Sequence, residues 1–110
     1  MNTRRHLFTS ESVSEGHPDK IADQISDAIL DAFLAEEPEA KVACETFVAD
    51  NLVVIAGEFK TLRKELFSEI RERAEEIARQ VLRDIGYRDA GTGIDPNTCE
   101  VQVRFNHQSI

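Results

Sequence analysis

The chain has 110 residues, 41% hydrophobic and 31% charged, which suffices for one buried core and leaves no room for a second. Its 21 acidic and 13 basic residues give a formal charge of −8, and such a field repels polyanions and argues against general nucleic-acid binding. The longest uncharged apolar run, Leu52 to Ala56, is too short to span a bilayer, and no signal-peptide stretch follows Arg4 and Arg5. We therefore expect a single domain that neither inserts into a membrane nor is secreted.

The first predicted elements are an extended segment over residues 6–13 and a helix that begins near Pro18. Proline suits the first helical turn because its missing N–H would be unpaired there, and Asp19 complements the positive end of the helix dipole. The helix has one apolar face and stops before Pro38. The apolar face consists of Ile21, Ile25, Ala28, Ile29, Ala32 and Phe33.

A second face of this helix is acidic. Asp19, Asp23, Asp27 and Asp31 repeat every four residues. Like charges at this spacing cost about 0.2–0.5 kcal/mol per pair in an isolated helix, so solvent or a cation must compensate for them. The sequence leaves the roles of the last three open.

The middle of the chain predicts a β-hairpin. Residues 42–49 and 52–59 are β-branched and apolar, and Asp50-Asn51 between them tolerates the positive φ of a tight turn. An amphipathic helix follows from about Thr61, and Gly86 is placed to end it in the left-handed conformation. After a loop, Val101, Val103 and Phe105 alternate with polar residues as a final half-buried strand.

These elements predict an α+β domain of order β-α-β-β-α-β, with two helices on one face of a small, mostly antiparallel sheet. The second sheet face, to which we assign Val48, Val53, Ile55 and their neighbours, is too continuously apolar to face water, so we expect it to pack on another domain or subunit. Cys44 and Cys99 lack metal-site spacing, which is typical of reduced core thiols in a cytoplasmic protein.

The densest polar cluster runs from Ser10 to Lys20 and ends at the start of the first helix. A helix N-terminus that holds His17, Asp19 and Lys20 is suited to phosphate binding. An ordinary capping segment, with Ser14 or His17 as the cap, explains the same residues.

The longer string from His6 to Asp27 closely resembles the N-terminus of the S-adenosylmethionine synthetase (methionine adenosyltransferase) family. The resemblance covers essentially the whole chain but only the first quarter to third of a family enzyme. It continues in register through Val42-Ala43-Cys44-Glu45-Thr46, Gly57-Glu58, Ile85-Gly86-Tyr87 and Gln108-Ser109.

This resemblance implies a transferase that condenses ATP with L-methionine. The methionine sulfur attacks the ribose 5′ carbon, and the released triphosphate is hydrolysed to pyrophosphate and phosphate. The family uses Mg²⁺ and K⁺ and self-associates into a dimer or tetramer whose active sites are shared between subunits. The chain is then expected to be the N-terminal domain of a cytoplasmic enzyme, spanning 1–110 without the central and C-terminal domains, and to be inactive alone.

The resemblance also implies roles for five residues. His17 would contact ATP and assist C–O cleavage as a charged donor or proton source. Asp19 would hold Mg²⁺, a hard cation that prefers carboxylate oxygen. Glu45 would be the potassium ligand, while Glu58 and Gln108 would contact methionine.

Several positions depart from the family pattern. The turn Ala49-Asp50-Asn51 replaces a Lys-Thr-Gly-like sequence, and the second helix is longer by roughly two turns, about 10 Å at 1.5 Å per residue. The family continues Pro-Asp-Ile after Gln108-Ser109, whereas Ile110 follows here, so only the start of the mobile active-site loop is expected. The alternative is a non-catalytic α+β regulatory or interaction module, in which the acidic helix and the sheet bind a partner.

Overall fold

The computed structural model describes residues 18–88 and 93–109, except for the side chains of residues 18, 19 and 109. Within these ranges the order is helix-strand-strand-helix-strand, and the extended segment predicted over 6–13 lies outside them. The elements are α1 (Pro18–Glu36), β1 (Lys41–Ala49), β2 (Leu52–Thr61), α2 (Lys64–Ile85) and β3 (Glu100–Ser109). The predicted α+β class, with two helices packed on a small sheet, is confirmed.

The three described strands form one mixed sheet in the order β1-β2-β3. The hairpin pairs β1 with β2 in antiparallel fashion, from Ala49 opposite Leu52 to Lys41 opposite Lys60. In contrast, β2 and β3 are parallel, from Leu52 opposite Glu100 to Thr61 opposite Ser109. The parallel pair arises because the long helix α2 carries the chain back to the starting end of β2, as parallel strands require.

The core lies between the helices and one face of the sheet, which we call the inner face. Val48, Val53 and Ile55 are fully buried there, in one cluster with the apolar stripes of α1 and α2. The assignment of these three residues to the second sheet face was therefore wrong, since the two-residue alternation of a strand directs them towards the helices. Their neighbours Leu52 and Val54 point to the opposite, outer face and are half-buried.

Phenylalanine rings fill one end of this core. The ring centroid of Phe59 on β2 lies 4.8 Å from that of Phe33 on α1 and 4.4 Å from that of Phe105 on β3. Phe67 on α2 lies 5.9 Å from the same ring. Aromatic pairs at this separation stabilise the fold beyond the effect of their buried area. Both helices are therefore packed against the same end of the sheet.

Two residues with positive φ end elements as predicted. Asn51, with φ 49°, forms the hairpin turn, and its Oδ1 accepts a hydrogen bond of 2.9 Å from the backbone N–H of Asp95. Gly86, with φ 122°, ends α2, and its N–H and that of Tyr87 donate to the carbonyl of Leu82. Glycine is favoured there because it has no Cβ to clash.

A buried carboxylate joins the two helices. Glu37, which follows α1, is only 6% exposed, and its Oε2 accepts a hydrogen bond of 2.8 Å from the backbone N–H of Leu62.

The second helix begins later than the periodicity indicates. Thr61 belongs to β2, and α2 begins at Lys64. No helix in the described ranges has the length and apolar character needed to cross a bilayer.

Candidate functional site

The outer face of the sheet brings together the three predicted site residues whose side chains the structure describes. Glu45 on β1 is opposite Ala56 of β2, and Glu58 lies two residues further along β2. Gln108 on β3 is opposite Lys60, another two residues along the same direction. Alternation of side chains therefore places Glu45, Glu58 and Gln108 on one diagonal across three strands.

Glu58 and Gln108 are in direct contact. The Nε2 atom of Gln108 donates to Oε1 of Glu58 over 3.4 Å, and both side chains are exposed. The two residues are 50 positions apart in the chain and meet only because β2 and β3 are parallel neighbours. An exposed carboxylate beside an amide offers acceptor oxygens to an ammonium group, and the amide N–H₂ offers a donor to a carboxylate.

Glu45 lies at the rim of a polar cleft between α1 and β1. The cleft has a volume of about 160 Å³ and is lined by Ala22, Asp23, Ser26, Asp27, Cys44, Glu45 and Thr46. The hydroxyls of Ser26 and Thr46 are 2.8 Å apart and join the helix to the strand. Carboxylate and hydroxyl oxygens dominate this lining, and such hard donors suit alkali and alkaline-earth cations.

Cys44 forms part of the wall of this cleft. Burial raises the pKa of its thiol from 9.0 to about 11, although a hydrogen bond with Ser26 opposes the shift. The thiol is consequently protonated and neutral at physiological pH. The negative charge of the cleft therefore comes from its carboxylates and not from sulfur.

The other two predicted site residues fall at the limit of the described chain. His17 lies outside the described residues, and Asp19 belongs to the first turn of α1 with a side chain outside them. The described side chains hold no group of three or more His, Cys, Asp or Glu residues arranged to bind a metal ion. The predicted magnesium role of Asp19 therefore stays a prediction.

The rest of the acidic stripe on α1 is exposed. Asp23, Asp27 and Asp31 all face solvent in the described chain, and the first two also line the cleft beside Glu45. Solvent exposure reduces the repulsion between carboxylates four residues apart, because water screens them.

Sequence reasoning assigned no role to a polar contact next to the outer-face diagonal. The Oγ1 atom of Thr61 lies 2.9 Å from Nε2 of His107, which precedes Gln108 in β3. The alternation that predicts β3 also places His107 on the inner face after Phe105, and this was the signal available in the sequence. Thr61 carries no such signal, because a threonine at this position also suits the start of a helix.

Comparison with known proteins matches residues 5–110 to the family described as S-adenosylmethionine synthetase, N-terminal domain. The S-adenosylmethionine synthase of Mesoplasma florum is 53% identical over 105 residues, which are 96% of this chain and 26% of that protein. The synthases of Roseiflexus castenholzii and Roseobacter denitrificans are each 50% identical over 109 residues, or 99% of this chain and 25% and 27% of theirs. The chain thus spans about a quarter of the length of these curated relatives.

Proposed function

Because this chain belongs to the S-adenosylmethionine synthetase family, we propose that it supplies part of the active site of an enzyme that makes S-adenosylmethionine from ATP and L-methionine. In this reaction the methionine sulfur displaces triphosphate from the 5′ carbon of ATP, and the triphosphate is then hydrolysed to pyrophosphate and phosphate. The observation that carries the proposal is about 50% identity to named synthases over 96–99% of the chain. The chain would act as the N-terminal domain of a longer cytoplasmic enzyme.

Glu58 and Gln108 would bind methionine on the outer face of the sheet. The carboxylate of Glu58 would accept hydrogen bonds from the substrate ammonium, and the amide of Gln108, 3.4 Å from that carboxylate, would orient the amino acid. Charge-assisted hydrogen bonds of this kind are roughly twice as strong as neutral ones. Holding the amino acid at both groups would direct its sulfur towards the 5′ carbon of ATP.

Glu45 would hold K⁺. Two further carboxylates and the hydroxyls of Ser26 and Thr46 line the cleft beside it and support this role, although the described residues hold no preformed cluster of three carboxylate ligands. A bound cation would offset the repulsion between Glu45 and the aspartates of α1. It would thereby order strand β1, which lies next to Glu58 on β2.

His17 and Asp19 would serve ATP at the start of α1. Mg²⁺ usually binds through one or two carboxylates together with substrate phosphates, so Asp19 alone suffices as this chain's contribution. Bound Mg²⁺ supplies positive charge that stabilises the departing triphosphate. His17 would donate a hydrogen bond or proton to the leaving oxygen, and the helix N-terminus would favour the anion.

The protein that carries this chain would self-associate into a dimer or tetramer whose active sites are shared between subunits. The outer face combines the half-buried apolar residues Leu52, Val54 and Ala56 with the methionine-binding pair. Apolar side chains beside a charged site are suited to a subunit interface that also shields a substrate from water.

The proposal is tested by steady-state kinetics of the complete protein that carries this chain. Glu58→Gln should raise the KM for methionine with little effect on the KM for ATP, because only the amino acid contacts it. Asp19→Asn should raise the Mg²⁺ concentration needed for half-maximal rate, with Asp31→Asn as the matched control on the same helix face. His17→Ala should lower kcat with little loss of stability.

A non-catalytic interaction module gives a different result in the same assay. It forms no S-adenosylmethionine from ATP, methionine, Mg²⁺ and K⁺, and Mg²⁺ with ATP produces no coupled NMR response at His17 and Asp19. Either finding with the complete, folded protein would contradict the synthase function.

A further inference from the structure

A polar contact fastens the end of β3 to the start of the connection into α2. Thr61 is 2% exposed, and its Oγ1 lies 2.9 Å from Nε2 of His107 and 3.1 Å from the carbonyl oxygen of Arg63. The imidazole also packs on Phe67 of α2, with ring centroids 4.8 Å apart. The half-buried His107 side chain is thus held from β2 and from α2 together.

The two hydrogen bonds at Thr61 fix which atom donates. A hydroxyl has one hydrogen, and here it is donated to the carbonyl oxygen of Arg63. Nε2 of His107 must then carry a hydrogen and donate it to Oγ1, so the neutral ring is the Nε2–H tautomer. This assignment follows from the hydrogen-bond network.

The orientation of His107 determines that of Gln108. Neighbouring residues of a strand point to opposite faces, so fixing His107 on the inner face directs Gln108 to the outer face. There its amide reaches Glu58 over 3.4 Å, a long hydrogen bond between two exposed groups. Such a weak, solvated contact does not by itself fix the position of the Gln108 amide.

We propose that His107, through its hydrogen bond to Thr61, is a positioning residue for the methionine-binding pair Glu58 and Gln108. The inference rests on the proposed function and adds a residue to its site. Thr61 and His107 act from the inner face and touch no substrate; they keep the Gln108 amide at the distance from Glu58 that binding requires. Losing the contact would leave the end of β3 held to β2 by the backbone ladder alone, so the Gln108 amide would be positioned less tightly.

The test uses the complete protein and pairs each disruptive variant with a conservative one. His107→Phe retains the ring packing and removes the donor, and Thr61→Val retains the shape and removes the acceptor. We expect each to raise the KM for methionine about threefold to tenfold, the range that one neutral hydrogen bond supports, with the KM for ATP changed less than about twofold. His107→Gln and Thr61→Ser should recover most of the loss, and Gln102→Ala, elsewhere on β3, should change neither constant.

The outcomes separate this inference from the proposed function. If Glu58→Gln raises the KM for methionine while His107→Phe and Thr61→Val do not, the positioning role is overturned and the function stands. Equal increases in both KM values without rescue would mean a general structural role and would also overturn it. If Glu58→Gln and Gln108→Ala leave the methionine KM unchanged, this pair does not bind methionine and the positioning role is overturned with it, whereas the synthase function is decided by product formation.

An NMR measurement decides the matter even where a variant does not fold. Imidazole ¹⁵N shifts of the unaltered protein should show a protonated Nε2 at His107 near neutral pH, with slow exchange of its hydrogen. An Nε2 shift that shows no hydrogen bond, or that is the same in Thr61→Val, would overturn the inference.

Discussion

At the scale of single residues, Asn51 combines two roles in the hairpin turn. Its backbone has φ 49°, and its side chain accepts a hydrogen bond from Asp95 N–H that holds the segment before β3. The Asn51 side chain therefore makes a contact that a glycine at this position could not make. We expect Asn51→Gly to lower the free energy of unfolding by about 1 kcal/mol, the value of one hydrogen bond.

Asn51→Ala should cost more, about 2 kcal/mol, because alanine also disfavours the left-handed conformation. Asn51→Asp, which keeps the acceptor and tolerates positive φ, is the matched control and should be close to the unaltered protein. Urea unfolding monitored by circular dichroism measures all three. Equal stability of the alanine and glycine variants would contradict the conformational part of the argument.

Asp95 gives the stability a dependence on acid pH. The backbone N–H of Asn97 donates to its carboxylate over 2.8 Å and, together with bonds from Thr98, lowers its pKa below 3.8. A carboxylate whose pKa is lowered on folding stabilises the folded state above its unfolded pKa, and loses this contribution as pH falls through the folded value. Asp95→Asn should therefore be less stable near neutral pH, and the difference should shrink below pH 3.8. A difference in unfolding midpoint that stays constant with pH would argue against this.

At the scale of the elements, Gly57 permits the close approach of β1 and β2. A Cβ atom at this position would lie 2.6 Å from the carbonyl oxygen of Ala43 and 3.1 Å from Cα of Cys44. These are backbone atoms of the neighbouring strand, so relief requires the strands to separate. We expect Gly57→Ala to destabilise the fold by about 1–3 kcal/mol, as overpacking of a core does.

Ala56→Ser, on the outer face of the same strand, is the matched control and should cost much less. Because Glu58 follows Gly57 directly, the KM for methionine should also rise in Gly57→Ala. Thermal unfolding that matches the unaltered protein would show that the sheet accommodates the methyl group without a shift.

Local sequence patterns predicted most of the elements, because helices and strands bury apolar residues with periods of 3.6 and 2. They also predicted the chain reversals, since Asn51 and Gly86 tolerate positive φ. They did not predict that Val48 faces the helices, because a continuously apolar strand has no polar side to mark its solvent face. The start of α2 was missed because threonine suits both the end of a strand and the beginning of a helix.

The candidate site was predictable only in part. No local pattern relates Glu58 to Gln108, since their contact depends on the parallel register of two strands separated by a long helix. Family resemblance suggested both residues, and the sheet shows that their side chains are in contact. The sequence indicated only that the first helix stops before Pro38, and the burial of Glu37 against Leu62 N–H depends on a tertiary contact that the sequence does not encode locally.

At the scale of the whole molecule, charge limits what this chain can do alone. Its −8 charge opposes binding of a polyphosphate, and the described side chains that line the cleft beside Glu45 include further carboxylates and no lysine or arginine. Compensating charge must come from cations or from other protein that completes the site. The proposed sharing of active sites between subunits follows the same physical requirement.

The net charge of −8 predicts that ATP binding by this chain depends on Mg²⁺. Residues 1–110 produced alone should form no S-adenosylmethionine, and any binding of ATP should require Mg²⁺ and disappear when EDTA is added, because the free tetra-anion is repelled. The complete protein should be active with the same substrates and lose activity on the same treatment. Isothermal titration calorimetry and product formation measure the two parts. Sustained turnover by the 110-residue chain, or ATP binding unaffected by EDTA, would show that this domain alone neutralises the triphosphate and would remove the reason for a shared site.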